Sequence, residues 1–309
     1  MLFNLNESKA ICGLENVGDF FPHSLADHPL LQMEELRKLV KRLPKNKVFY
    51  SAGIKPESAT IGDWHTHPGK HPLDYAIDNM ENADAYMYVL GPEDDPEFRP
   101  IYLELKADLD EFCRRNGYRL TKSSLALFIS SPGAIAPHHI DEQHTFIAQI
   151  KGSKTMYQWP AQNFDVTSPE ELEIFFAKVT RKLALKEKAE RWRKSYEMSP
   201  GKGVYIPFTA PHSVTNGNEV SISLSIIFNT ERTQMLQNIY RANHFLRTKC
   251  RRSPSLPGES IWKDALKHQY FRAYDSSRAL KAIPGRAVRK LGRILRLREP
   301  RVAAGNYAQ

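Results

Sequence analysis

Residues 137–154 read PHHIDEQHTFIAQIKGSK, and this stretch decides the fold. Its second half, HTFIAQIKG, is a short apolar and aromatic run closed by glycine, the pattern of a buried β-strand. Its first half lies at the mouth of that predicted strand. On an extended chain, residues two apart point to the same side, so His139 and Asp141 face one point while His138 faces away. Downstream, residues 205–212, YIPFTAPH, read as a strand and turn that deliver a third candidate ligand, His212. Two imidazoles and one carboxylate on one face form a metal-binding set that leaves coordination positions open.

Outward from this stretch the texture stays β. SLALFISSPG, KTMYQWP, GVYIPF and VSISLSIIF are short runs cut by Gly, Pro and Asn, which predict an antiparallel β core over residues 120–230, a small sandwich or barrel. One insertion, at about 168–195, reads as a helix with Ser168 as N-cap and acidic residues in its first turn. The flanks read as helical on both sides. Residues 1–119 carry one helix over HPLLQMEELRKLVKRLP, with Leu31, Leu36, Leu39, Val40 and Leu43 at helical spacing and a stop at Pro44. An amphipathic stretch follows from Leu73 to Leu90, then a helix over PEFRPIYLELKADLDEFCRRNG that ends at Asn116-Gly117. Residues 231–309 return to helix and end in a basic tail.

The chain has 309 residues, 41% hydrophobic, 26% charged and 10% aromatic, a globular composition rather than a disordered one. No run of 18 apolar residues is present, so a membrane span is not expected, and the N-terminus lacks the basic start and apolar stretch of an export signal. Cys12, Cys113 and Cys250 are odd in number and widely spaced, which argues against a disulfide framework or a zinc knuckle. Together these predict a soluble cytoplasmic protein. The net charge of +9 is uneven: from Glu231 onward there are 18 basic and 5 acidic residues, against 26 and 30 before it. In the tail, Val288, Leu291, Ile294 and Leu295 share one helical face opposite Arg286, Arg289, Lys290, Arg293 and Arg296. Such a helix suits anionic lipid, an acidic partner or nucleic acid, or simply packs its apolar stripe on the domain.

Iron suits the His139, Asp141, His212 set, because imidazole and carboxylate hold Fe(II) while open sites admit a cosubstrate and O₂. Lys154, thirteen residues after Asp141, opens the strand expected next to the one carrying Phe146, which places an ammonium near the barrel mouth on the metal side. The distal carboxylate of a chelated dicarboxylate is its natural partner.

The run HIDEQHTFIAQIKGSK resembles the JmjC branch of the 2-oxoglutarate oxygenases, most of all the asparaginyl hydroxylase that inhibits hypoxia-inducible factor, and the bacterial JmjC-like (cupin-8) proteins and ribosomal-protein hydroxylases share the pattern. The second half, PGKGVYIPFTAPHSVTNGNEVSISLSIIF, resembles the family's strand-turn-strand around the last histidine, and the likeness spans about residues 120–230. It implies a double-stranded β-helix of the jelly-roll type with helical flanks, and a dioxygenase using Fe(II), 2-oxoglutarate and O₂. His139, Asp141 and His212 match the iron ligands, and Lys154 matches the lysine that pairs with the cosubstrate's distal carboxylate. Thr145 stands where the hydroxylase has a cosubstrate-contacting asparagine. Two positions depart from the pattern: Ala136 replaces a threonine that bonds the same carboxylate, and Lys202 replaces an acidic turn residue. The resemblance implies hydroxylation or N-demethylation of a protein or small-molecule substrate, and its C-terminal helices suggest a homodimer. The competing reading is a metal-binding cupin-fold protein without turnover, which Ala136 motivates.

Other residues divide between chemistry and packing. Tyr205, Ser223 and Ser225 either face the cosubstrate or fill the barrel. His138 reads as structural, His144 as a substrate contact or a strand-edge polar residue, and Trp159 as packing. His65, His67 and His71 lie in a Gly/Pro-rich loop without a carboxylate partner and read as a solvated loop.

Overall fold

A computed structural model describes residues 1–5, 8–54, 68–180 and 185–282, of which 276–282 are described by backbone alone. In chain order the elements are α1 (Lys9–Cys12), β1 (Phe20–Pro22), α2 (Met33–Arg42), β2 (Val48–Ala52), α3 (Leu73–Asp78), β3 (Ala85–Leu90), α4 (Arg99–Arg115), β4 (Leu120–Ser130) and β5 (Ile135–His139). There follow β6 (His144–Lys151), β7 (Lys154–Gln158), α5 (Pro169–Phe176), β8 (Lys194–Met198), β9 (Lys202–Ile206), β10 (His212–Asn216), β11 (Ser221–Thr230), α6 (Glu231–Thr248) and α7 (Ile261–Ala282). The basic tail 283–309, His65 and His67 lie outside the described residues.

The strands form two antiparallel sheets, a seven-stranded one in the order β1-β9-β6-β11-β4-β3-β2 and a four-stranded one in the order β5-β10-β7-β8. From β4 to β11 the chain runs through both sheets, so that β9-β6-β11-β4 faces β5-β10-β7-β8. That strand order is the double-stranded β-helix of a jelly roll, a β core with helical flanks, as the sequence predicts.

The alternation along β11 shows how sequence sets the two faces. Ile222, Leu224, Ile226 and Phe228 join the core shared with Leu125, Leu127 and Ile129 of β4 and with Leu105, Leu109 and Phe112 of α4. Ser221, Ser223 and Ser225 point the other way, into the space between the sheets, opposite Ser130, Phe128 and Ala126 of β4. A second, smaller core fills that space with Ile147, Met156, Val204, Ile206, Val214 and Ala136.

The structure corrects the expected helical first third. The stretch from Leu73 to Leu90 splits: α3 ends at Asp78, and residues 85–90 form β3, which pairs with β4 and carries β2 outside it. Met87 and Val89 pack towards the helices and Tyr86 towards the sandwich, so both faces of the strand are covered and no one-sided apolar stripe marks it. The insertion is also less helical than expected. Ser168 caps α5 through a capping box with Glu171, but α5 spans only Pro169–Phe176, and Lys194–Met198 is strand β8.

Candidate metal centre

Strand β5 brings His139 to the inner face, and β10 brings His212 beside it; their Cα atoms are register partners and their ring centroids lie 4.1 Å apart. Asp141 lies just past β5 in the turn to β6, its carbonyl accepting from Thr209 N–H at 3.3 Å. Thr209 itself takes a left-handed φ of 65° in the turn that leads into β10. The result is a cluster of His139, Asp141 and His212 whose ligand atoms all lie within 4.8 Å of one another, with His212 Nε2 and Asp141 Oδ2 at 3.8 Å.

The protonation pattern suits a cation. His139 Nδ1 lies 2.6 Å from the carbonyl of Pro137, and His212 Nδ1 lies 3.0 Å from that of Ala210. A carbonyl only accepts, so each Nδ1 carries the proton and each Nε2 offers a lone pair, the backbone-locked tautomer of a ligating histidine. Burial, then the neighbouring His212, holds His139 well below the ordinary imidazole pKa, so it stays neutral. The two histidines are 8% and 4% exposed, whereas the Asp141 side chain is 35% exposed, so the centre opens to solvent on the aspartate side.

No family model matches the sequence, and no curated protein matches it. Among solved structures the chain is similar to the Escherichia coli ribosomal oxygenase YcfD, at 15% identity over 92% of this chain and 69% of that one, with a TM-score of 0.46. A second structure of the same E. coli protein gives 15% identity over 92% and 70%, with a TM-score of 0.49. It is also similar to an oxalate decarboxylase from Lactobacillus farciminis, at 15% identity over 35% of this chain and 25% of that one, with a TM-score of 0.25.

Deeper in the same interior, the polar groups are unevenly satisfied. Ser223 donates to Gln149 Oε1 at 2.6 Å, and the Gln149 amide donates to Lys151 O, Gly152 O and Ser221 Oγ. By contrast, Thr145 Oγ1 and Ser225 Oγ are buried with no hydrogen-bond partner among the described residues, which costs stability unless something else supplies one. Lys154 is 5% exposed, and burial alone pushes its pKa down to about 7. No acidic group offsets that burial, and its ammonium has no ion-pair or hydrogen-bond partner among the described residues.

Lys154 reaches this interior by a different route from the one expected. It is not on a strand beside Phe146: β6, with Phe146, lies in the seven-stranded sheet, and β7, opened by Lys154, lies between β10 and β8 in the four-stranded sheet. The chain crosses between sheets at Gly152, whose φ is +68° and where a Cβ would come within 2.5 Å of Val220 O. Lys154 pairs with Asn216 and Gln158 with His212, so the lysine lies four residues, roughly 13 Å along β7, from the histidine level. Alternate residues of β7, Lys154, Met156 and Gln158, are the buried ones.

Tyr205 faces the other way. It pairs with Phe146 on β6, lies in the helix-side core, and its hydroxyl is 2.8 Å from His144 Nδ1. The structure therefore does not bring Tyr205 or His144 to the metal centre. His138 points away from the ligands as predicted, its ring edge-on to Trp159 at 4.9 Å, and Trp159 packs with Val166 and Ala189. His71 stacks near Tyr75 and belongs to no metal-binding group among the described residues. Sequence reasoning missed Tyr86. It is buried between the sheets, and its pKa is raised by burial, then Tyr88, then Asp141. The alternation of YMYVL in β3 was the available signal.

Proposed function

We propose that the chain is an Fe(II)- and 2-oxoglutarate-dependent oxygenase that hydroxylates or N-demethylates a protein or small-molecule substrate. The observation that supports this best is a pairing inside one interior: two buried histidines with both Nε2 lone pairs available beside the half-buried Asp141 carboxylate, and a buried lysine with no counter-charge among the described residues. His139, Asp141 and His212 would hold the iron, and a dicarboxylate would give Lys154 the charge partner it lacks. Bound there, Fe(II) with 2-oxoglutarate supplies the activation of O₂ and the transfer of one oxygen atom to a substrate C–H bond, with succinate and CO₂ as co-products.

The chain's own residues position and protect. The carbonyls of Pro137 and Ala210 fix both imidazoles as Nε2 ligands. Thr145 and Ser225 offer hydroxyls that have no hydrogen-bond partner among the described residues. Ile140 and Phe208, packed with Leu172, Phe175, Phe176 and Tyr240, form an apolar wall beside the ligand-bearing turn. The exposed side at Asp141 is where substrate approaches.

One observation favours the second reading, a metal-holding cupin-fold protein without turnover: Ala136, in the interior core, adds no hydrogen bond for a carboxylate. The two are separated by succinate formation from 2-oxoglutarate under air with Fe(II) and a reductant. The oxygenase predicts succinate that depends on His139 and Lys154, lost in His139→Ala and strongly reduced in Lys154→Ala. Metal retention without succinate in the wild type would favour the binding protein.

A further inference from the structure

A second cavity lies on the helix side of the seven-stranded sheet, away from the interior that holds the metal ligands. Its empty volume is about 400 Å³, counting the part open to solvent, and its lining includes His144, Arg232, Gln162, Phe208 and Leu236. His144 is only 5% exposed. Its Nδ1 accepts from the backbone N–H of Phe208 at 3.1 Å and lies 2.8 Å from the Tyr205 hydroxyl. A backbone N–H can only donate, so Nδ1 holds a lone pair and the proton sits on Nε2. That Nε2–H has no hydrogen-bond partner among the described residues, although the ring is packed between Tyr205, Phe208 and Phe228.

The cavity's charge lies on Arg232, on the first turn of α6. The backbone N–H groups of that turn are largely used within the chain: Thr230 and Thr233 form a reciprocal capping box, and Glu231 N–H donates to Arg119 O. Glu231 pairs with Arg119 at 3.1 Å, while Arg232 forms no ion pair among the described residues. Its charge reaches both His144 and Tyr118. Glu15, which acts on Tyr118 with the opposite sign, is exposed to solvent. A donor fixed at the base and a guanidinium at the rim form a recognition pair for negative oxygen.

We propose that this cavity is a second binding site, separate from the metal centre, for a small oxyanion, a carboxylate or phosphate head held between the Nε2–H of His144 and the guanidinium of Arg232. Leu14, Pro207 and Leu236 in the same lining leave an apolar flank for a short hydrocarbon attached to that head. Neutral His144 is the appropriate donor there, since it hydrogen-bonds the anion without adding a buried charge when the cavity is empty.

The test uses the full chain, metal-free, with ¹⁵N-labelled histidine, and follows the His144 Nε2–H resonance, assigned by its loss in His144→Gln. Inorganic phosphate and acetate are titrated separately. The expected result is saturable movement of that resonance with at least one of them, the tighter naming the head group. In Arg232→Gln, which alters an exposed side chain, affinity falls about tenfold, and in His212→Ala it is unchanged. No movement with either anion would overturn the proposal. So would equal movement in Arg232→Gln, or loss of binding in His212→Ala, which would place the anion at the metal centre. Because the readout is taken without metal, it is independent of whether the chain proves to be an oxygenase.

Discussion

Lys154 is the residue on which the functional account leans most heavily, and its burial makes a prediction that needs no substrate. Burial lowers its pKa from the ordinary 10.5 of a lysine to about 7, so between those limits the unfolded chain holds the extra proton and the folded chain does not. Stability therefore rises with pH across that interval, and the full penalty is present below it. Lys154→Met removes the buried amine while keeping similar bulk. In metal-free protein at pH 7 it should match or exceed the wild type in urea denaturation midpoint. The wild type should then gain on the variant between pH 7 and 10. A variant less stable than wild type at every pH would mean that Lys154 already has a partner. The His139, Asp141, His212 set and Lys154 were legible in the sequence because each is a chemically distinctive residue in a motif of recognisable spacing, although they come from three strands, β5, β10 and β7, and the turn after β5. Tyr205 was less so: its position beside the His212 turn suggested the site, but on β9 it alternates with Val204 and Ile206, which face between the sheets, and so it lies on the helix side.

At the scale of elements, α5 and α6 pack with Ile140 and Phe208 beside the centre, and Arg247 of α6 ties them through ion pairs to Glu170 and Glu173 of α5. Glu173 of α5 is 1% exposed and receives Arg247 of α6 through two hydrogen bonds, at 2.9 and 3.1 Å. Arg247→Ala would leave that carboxylate buried and alone, so it should cost about 3 kcal/mol in chemical denaturation; a loss near zero would show that water replaces the arginine. Arg247→Lys should recover only part of it, since an ammonium cannot repeat the two-pronged contact. Long elements were readable in advance. α4 and α6 carry sustained helical periodicity, and β4, β6 and β11 carry long apolar or alternating runs. Some short or doubly covered ones were not, although β7 and β9, also five residues each, were readable as strands. β5 and β8 are five residues each, rich in His, Pro, Lys and Glu, and acquire strand character only by pairing with β10 and β7.

At the scale of the whole molecule, the strand order carries the account. Residues from 139 to 225 meet in one interior because the chain passes repeatedly between the two sheets, so β5 and β10 supply the histidines, β7 the lysine, and β6 and β11 the Thr145 and Ser225 hydroxyls. No single stretch of sequence contains the site. The additional strands β2 and β3 extend the seven-stranded sheet beyond the jelly roll and bring Tyr86 towards Asp141. The central claim is that this interior is a single centre for Fe(II) and 2-oxoglutarate. It is tested most directly by anaerobic titration of the purified full chain with both, following the visible charge-transfer band of the chelate in wild type, His212→Ala and Lys154→Ala. The account predicts a band in the wild type, absent without His212 and appearing only at higher 2-oxoglutarate without Lys154. Stoichiometric metal with no band in the wild type would contradict it.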